Sequence, residues 1–226
     1  MHTQHIPTVK AMRLTGTFTF VLAILTVLAS VFAYVNLNPN FSIFTTYLSD
    51  IGDTPGWPQI LLNSGTILAA PLRYAVIILL VLRLRSYSEK NRYFEGAVLT
   101  IGAISTLGTL FMTAVPFSVG PAIHKIGIGL YFLGVVFLQS LVGIKELTIK
   151  DLPRSLPILS FAIVVSYLVF FVMMFLYETG NVGRNTPVFW EWMCFFTSTG
   201  WLLGHTISLG REDKLDKYKS AHVNPG

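Results

Sequence analysis

The sequence predicts an all-α fold, a polytopic membrane protein with six transmembrane helices in one bundle and both termini cytoplasmic. Three observations carry this expectation. Of the 226 residues, 53% are hydrophobic and only 12% charged, with a mean hydropathy of +0.63, whereas soluble domains carry roughly 25% charge. Apolar runs of about 20 residues, long enough to cross a hydrocarbon core of roughly 30 Å as helices, recur six times. Lys and Arg, finally, collect between alternate runs.

The elements follow in order. Residues 1–13 are a polar N-terminus with Lys10 and Arg13 ahead of the first run, 14–35. That run exceeds the roughly 7–15-residue core of a cleavable signal peptide, so it is expected to be retained as a helix. A loop over 36–57 contains Thr46-Tyr47-Leu48-Ser49-Asp50-Ile51-Gly52-Asp53-Thr54-Pro55. Its serine, two carboxylates and Gly/Pro pair suit a turn or a short capped helix at the membrane surface. The second span, 58–82, leads through Arg83, Arg85, Lys90 and Arg92 to the third, 94–115, which Pro116 ends. A turn through Gly120 and Pro121 opens the fourth, 122–144, and a basic loop, 145–154, precedes the fifth, 156–177. The loop from Glu178 to Val188 leads into the sixth, 189–209, and a polar tail, 210–226, is expected to be unstructured.

Thirteen of the sixteen Lys and Arg residues fall on the side of the two termini. The positive-inside rule then makes that side cytoplasmic and the Asp50 loop external. The formal charge of +5 is topological information of this kind, so nucleic acid is not an expected partner. Cys194, the single cysteine, lies in an apolar run and reads as a small buried hydrophobe. Trp57, Trp190 and Trp192 read as an interfacial aromatic belt.

Arg73 falls about 14 Å from the Leu82 end of its span. A central arginine costs about 2.5–3.5 kcal/mol to insert, so it is expected to face protein or water, either as an anion site, or bonded to carbonyls, Gln139 or the Ser/Thr of span three, or snorkelling past the break that Pro71 can introduce. Gly65 and Ala69 precede it at four-residue steps, a small-residue stripe suited to close helix packing. Spans three and four are rich in small residues for the same reason. Glu191, Ser198 and His205 share one helical face, but Glu191 and His205 lie about 21 Å apart along the axis. They belong to opposite ends, and His205 reads as an interfacial structural residue.

His124 opens span four on the side of Asp50 and Asp53. Three chemistries fit these residue types: a general base oriented by Asp50, a Ser49/His124/Asp nucleophilic set, or a metal site built from Asp50, Asp53, His124 and Glu191. None has a diagnostic spacing, and no motif names a cofactor. Against all three stands a loop in which Ser49 and Asp50 simply cap a turn.

Tyr47-Leu48-Ser49-Asp50-Ile51-Gly52, with Pro55, is similar to the Ile-Ser-Asp-x-Gly signature of the six-span family named for Frag, DRAM and Sfk proteins. His124 with Gly127, followed by Phe132, resembles that family's His-x-x-Gly pattern, and Glu191-Trp192 resembles its Glu-Trp. The same loop and single histidine are similar to a prokaryotic membrane family, domain of unknown function 998. Gly56-Trp57 replaces the acidic residue common in the eukaryotic pattern, and with Arg73 this inclines the resemblance to the prokaryotic family. The resemblance covers roughly 14–210. It implies roles for Ser49, Asp50, Gly52, His124, Glu191 and Trp192, and it implies remodelling or trafficking of membrane lipids. The expectation is therefore a plasma-membrane protein that recognises or modifies a lipid through its outer polar cluster, with Asp53, Arg73 and Glu191 as binding candidates and a homo-oligomer compatible with it. A small transporter using Arg73 and a non-catalytic scaffold are the alternatives.

Overall fold

The computed structural model describes residues 5–211, and among these every regular element is helical. The helices are α1 (His5–Leu37), α2 (Leu48–Asp53), α3 (Trp57–Tyr87), α4 (Arg92–Ala114), α5 (Pro121–Thr148), α6 (Ser155–Glu178) and α7 (Asn185–Leu209). The expected tail lies outside the described residues from 212 onward, as does the N-terminal stretch 1–4.

The long helices outrun the spans expected of them. Residues from His5 are already helical, and α5 continues through Lys145 and Glu146 rather than stopping at Ile144. The reason is local. Span limits drawn where charge begins mark the edge of hydrocarbon, whereas a helix satisfies its own backbone on either side of that edge.

Five helices, α1 and α3 to α6, have the length and apolar composition to cross a membrane. On α1, Leu14, Phe18, Val21, Leu25, Leu28, Phe32 and Val35 are exposed at alternating steps of three and four. They form the lipid-facing stripe of a membrane helix. Helix α7 is long enough but is not among these five, and Phe196 and Ile207 are its only exposed large hydrophobics.

The six long helices close a ring in the order α1, α3, α4, α5, α6, α7 and back to α1, while α2 lies against α3. Glycines set the closest approach. A Cβ on Gly108 would sit 2.4 Å from the Tyr131 nitrogen, and one on Gly127 would sit 2.5 Å from the Met112 nitrogen. Thus α4 and α5 touch backbone to backbone, as the small residues of spans three and four predict. Gly65 instead leaves room for the Thr26 side chain of α1, but Arg73 points the other way, toward α4 and α5. Gly65 packs on α1, and the charge of the stripe turns inward.

Candidate functional site

Polar groups gather at three depths of the ring. At the end away from the chain termini, α2 is capped by two carboxylates. Asp50, at the third helical position, accepts from the Tyr47 N–H at 2.9 Å, and Glu191 of α7 accepts from the Leu48 N–H at 2.5 Å. The Ser49 hydroxyl and N–H lie close to the same Glu191 carboxylate. These are the donors that a helix start leaves without intrahelical partners.

Two more groups near the start of α7 hold the preceding loop. Arg184 donates to Asp50 Oδ2 at 2.6 Å and to the Thr45 carbonyl at 2.7 Å. Trp192 Nε1 donates to the Thr46 carbonyl at 2.8 Å. Trp192 is therefore buried, not a belt residue, because its indole N–H has a backbone acceptor inside the protein. Trp57, by contrast, is exposed. Burial, with the Glu191 charge adding to it, pushes the Tyr47 phenol up to about 12, while Arg184 works against the rise.

The other candidates at this end have separate partners. Asp53 accepts from the Ser118 hydroxyl at 2.6 Å and its N–H at 3.1 Å, joining α2 to the α4–α5 turn. His124 Nδ1–H donates to the Val115 carbonyl at 3.0 Å, closing the C-terminal end of α4, and the ring meets Phe117 edge-on. Among the described residues no hydrogen bond joins His124 to Ser49, Asp50 or Asp53, and no three His, Cys, Asp or Glu residues are grouped as a metal would need.

Halfway along α3, Arg73 donates from Nη2 to Thr109 Oγ1 at 2.7 Å, with the Ser105 carbonyl at 3.5 Å, and lies 4.9 Å from the Tyr131 ring centroid. Tyr131 and Tyr167 hydroxyls are 2.6 Å apart, and Tyr167 reaches Ser198 at 3.0 Å. A polar line thus runs through the inside of the ring from α3 to α7. Arg73 is half-buried, and its Nε and Nη1 have no hydrogen-bond partner among the described residues. A guanidinium carries five N–H donors, and here both bonds come from a single nitrogen.

At the end shared by α1's start and α7's finish, Glu146 Oε1 lies 2.6 Å from His205 Nε2, and both side chains have no solvent exposure. Ser160 donates to Glu146 Oε2 at 2.9 Å, and Trp201 Nε1 donates to Ser160 Oγ at 3.0 Å. His205 Nδ1–H donates to the Trp201 carbonyl, so one proton is shared between Nε2 and Oε1. His205 is thus a core residue and not an interfacial one. Sequence reasoning missed Glu146, since Lys145 beside it looks like the end of a span. Its helical phase carried the signal: Val142 and Gly143 precede it by four and three residues, and all three are buried on one face.

A family model described as the Frag1/DRAM/Sfk1/Cwh43P N-terminal domain matches residues 4–204. No curated protein and no solved structure matches the chain. Of the residues that carry the resemblance, the Ser-Asp loop and Glu191-Trp192 join the first loop and α2 to α7, and His124 joins α5 to the end of α4, at the same end of the ring. With five helices apolar enough to cross a bilayer and a family match over most of its length, the chain is an integral multi-pass membrane protein and belongs to the Frag1/DRAM/Sfk1/Cwh43P N-terminal domain family.

Proposed function

We propose that this protein recognises a phosphate-bearing membrane lipid, with Arg73 as the group that meets the anion. The observation that carries the reading is the half-buried guanidinium inside a helix ring, with two of its three nitrogens lacking a hydrogen-bond partner among the described residues. An arginine fork offers paired N–H donors to phosphate oxygens. Keeping such a charge at mid-helix is costly, and a bound anion offsets that cost.

The outer carboxylates support the site indirectly. Asp50 and Glu191 are consumed by Tyr47, Leu48 and Arg184, which makes them a latch between the first loop and α7. Ser49, Asp50 and His124 as a catalytic set, and Asp50, Asp53, His124 and Glu191 as metal ligands, would each require these bonds to open. The fuller reading has α7 as a sixth span, both termini cytoplasmic by the Lys/Arg distribution, and the plasma membrane as the site of action, with a homo-oligomer compatible with it. Gly56-Trp57 and Arg73 still favour the prokaryotic branch.

Native mass spectrometry of the detergent-extracted protein tests the proposal. The parent is expected to retain a phospholipid that Arg73→Gln releases, with the charge-conserving Arg73→Lys intermediate. A parent that carries no lipid, or an Arg73→Gln variant that keeps it, would sink the reading. Flux of a soluble anion into vesicles, abolished by Arg73→Gln, would instead favour the transporter alternative.

A further inference from the structure

At the other end of the ring, the α3–α4 turn and the end of α5 enclose an open cleft of about 550 Å³, lined by Glu89, Lys90, Asn91, Arg92, Tyr93 and Lys145. Three cations face one acid there. Among the described residues no carboxylate pairs with Lys90, Arg92 or Lys145, and the nearby Glu95 is already taken by a two-point bond from Arg85. The cleft therefore carries a net positive charge, with Glu89 in its lining and Glu95 within electrostatic reach of Lys90 and Arg92.

Its height relative to the lipid is marked by the neighbouring side chains. On α5, Ile144 and Leu147 on either side of Lys145 are exposed hydrophobics of the lipid-facing surface, as is Leu82 in the last two turns of α3. Lys145 is half-buried, with its ammonium 5.9 Å from the Phe94 ring centroid. Its stem thus lies on apolar surface while its charge reaches the cleft, as lysines at a membrane boundary do. Tyr93, 92% exposed, places an aromatic ring with a polar tip at the same level. A cleft lined by Lys90, Arg92 and Lys145, with exposed hydrophobics on the neighbouring turns of α3 and α5, fits a ligand that is itself apolar below and anionic above.

We propose that this cleft binds the headgroup of an anionic glycerophospholipid in the leaflet on the side of the chain termini, its phosphodiester between Lys90, Arg92 and Lys145. The site is separate from Arg73 and stands whether or not Arg73 binds a ligand. Basic pockets at the ends of transmembrane helices select headgroups in this way, each cation near the surface contributing to attraction for anionic lipid.

The test is competition for retained lipid. Full-length protein is equilibrated in nanodiscs holding equal phosphatidylglycerol and phosphatidylcholine, then released for native mass spectrometry. The parent should retain phosphatidylglycerol preferentially, and a Lys90→Ala/Arg92→Ala double variant should lose that preference by about thirtyfold. Lys150→Ala/Arg154→Ala, on the same side but outside the cleft, should keep it. Melting temperatures in pure phosphatidylcholine check that the variants fold; should the double variant fail there, Lys145→Ala replaces it, with a smaller loss expected. Unchanged preference in the folded cleft variant, or an equal loss in Lys150→Ala/Arg154→Ala, overturns the proposal. Displacement of the lipid by millimolar inorganic phosphate would show a soluble-anion site and overturn it as well.

Discussion

The two ends of α7 are fastened by opposite means. At one end Arg184, Glu191 and Trp192 hold a surface loop through backbone groups and an ion pair whose side chains are 43% and 33% exposed. At the other, Glu146, His205, Ser160 and Trp201 form a network closed to solvent. Charge in the first is shared with water and is worth little. Polar groups in the second have no alternative partner, so each broken bond leaves an orphan. The lesson is that the conspicuous motif and the stabilising one need not coincide: the Ser-Asp loop stands out in the sequence, while the dry network carries the larger energy.

Breaking the buried network should have the largest effect. Glu146→Ala, which strands His205, Ser160 and the shared proton, is expected to destabilise the protein by about 3–5 kcal/mol in a detergent denaturation series. His205→Ala should cost nearly as much, and the double variant far less than the sum of the two. Additivity would mean that the pair does not act as a unit. At the latch, Arg184→Ala should cost about 0.2–1 kcal/mol, because its partner Asp50 keeps the Tyr47 N–H and regains water. A loss as large as that of Glu146→Ala would erase the contrast between the ends.

The smallest effect concerns Tyr47. Its phenol is held neutral in the folded protein up to about pH 12, whereas the unfolded chain ionises it near pH 10. The folded pKa of an acid is raised, so its contribution to stability declines as pH climbs from about 10 toward 12. Tyr47→Phe should flatten the alkaline fall in melting temperature, and an unchanged slope would show that the ring does not contribute.

Much of the fold was legible because bilayer helices declare themselves by length and composition. The six long helices fall on the six apolar runs, and α2 falls where Ser49, Asp50 and Gly52 suggest a capped turn. Partner choice was not legible, since it depends on which faces the ring brings together. Arg184 was placed on the outer side but not with Asp50, 134 positions away. Arg184 is one of two cations, with Lys125, on the side poor in Lys and Arg, and that was the available clue. His124 and Asp50 share an end of the bundle, yet each is engaged by a backbone group or side chain nearer to it. Arg73 is the opposite case. Its cost in the membrane made it noticeable, and span three's Thr109 and the Ser105 carbonyl are partners of the expected kind.

The most direct measurement sets Asp50→Asn beside Arg73→Gln and reads, for each, both the retained lipid and the melting temperature. If the loop is a latch and Arg73 the ligand group, Asp50→Asn lowers the melting temperature and keeps the lipid, while Arg73→Gln releases the lipid and melts within a few degrees of the parent. Lipid lost from Asp50→Asn at an unchanged melting temperature, and kept by Arg73→Gln, would move the binding site to the outer carboxylates and contradict the assignment made for both residues.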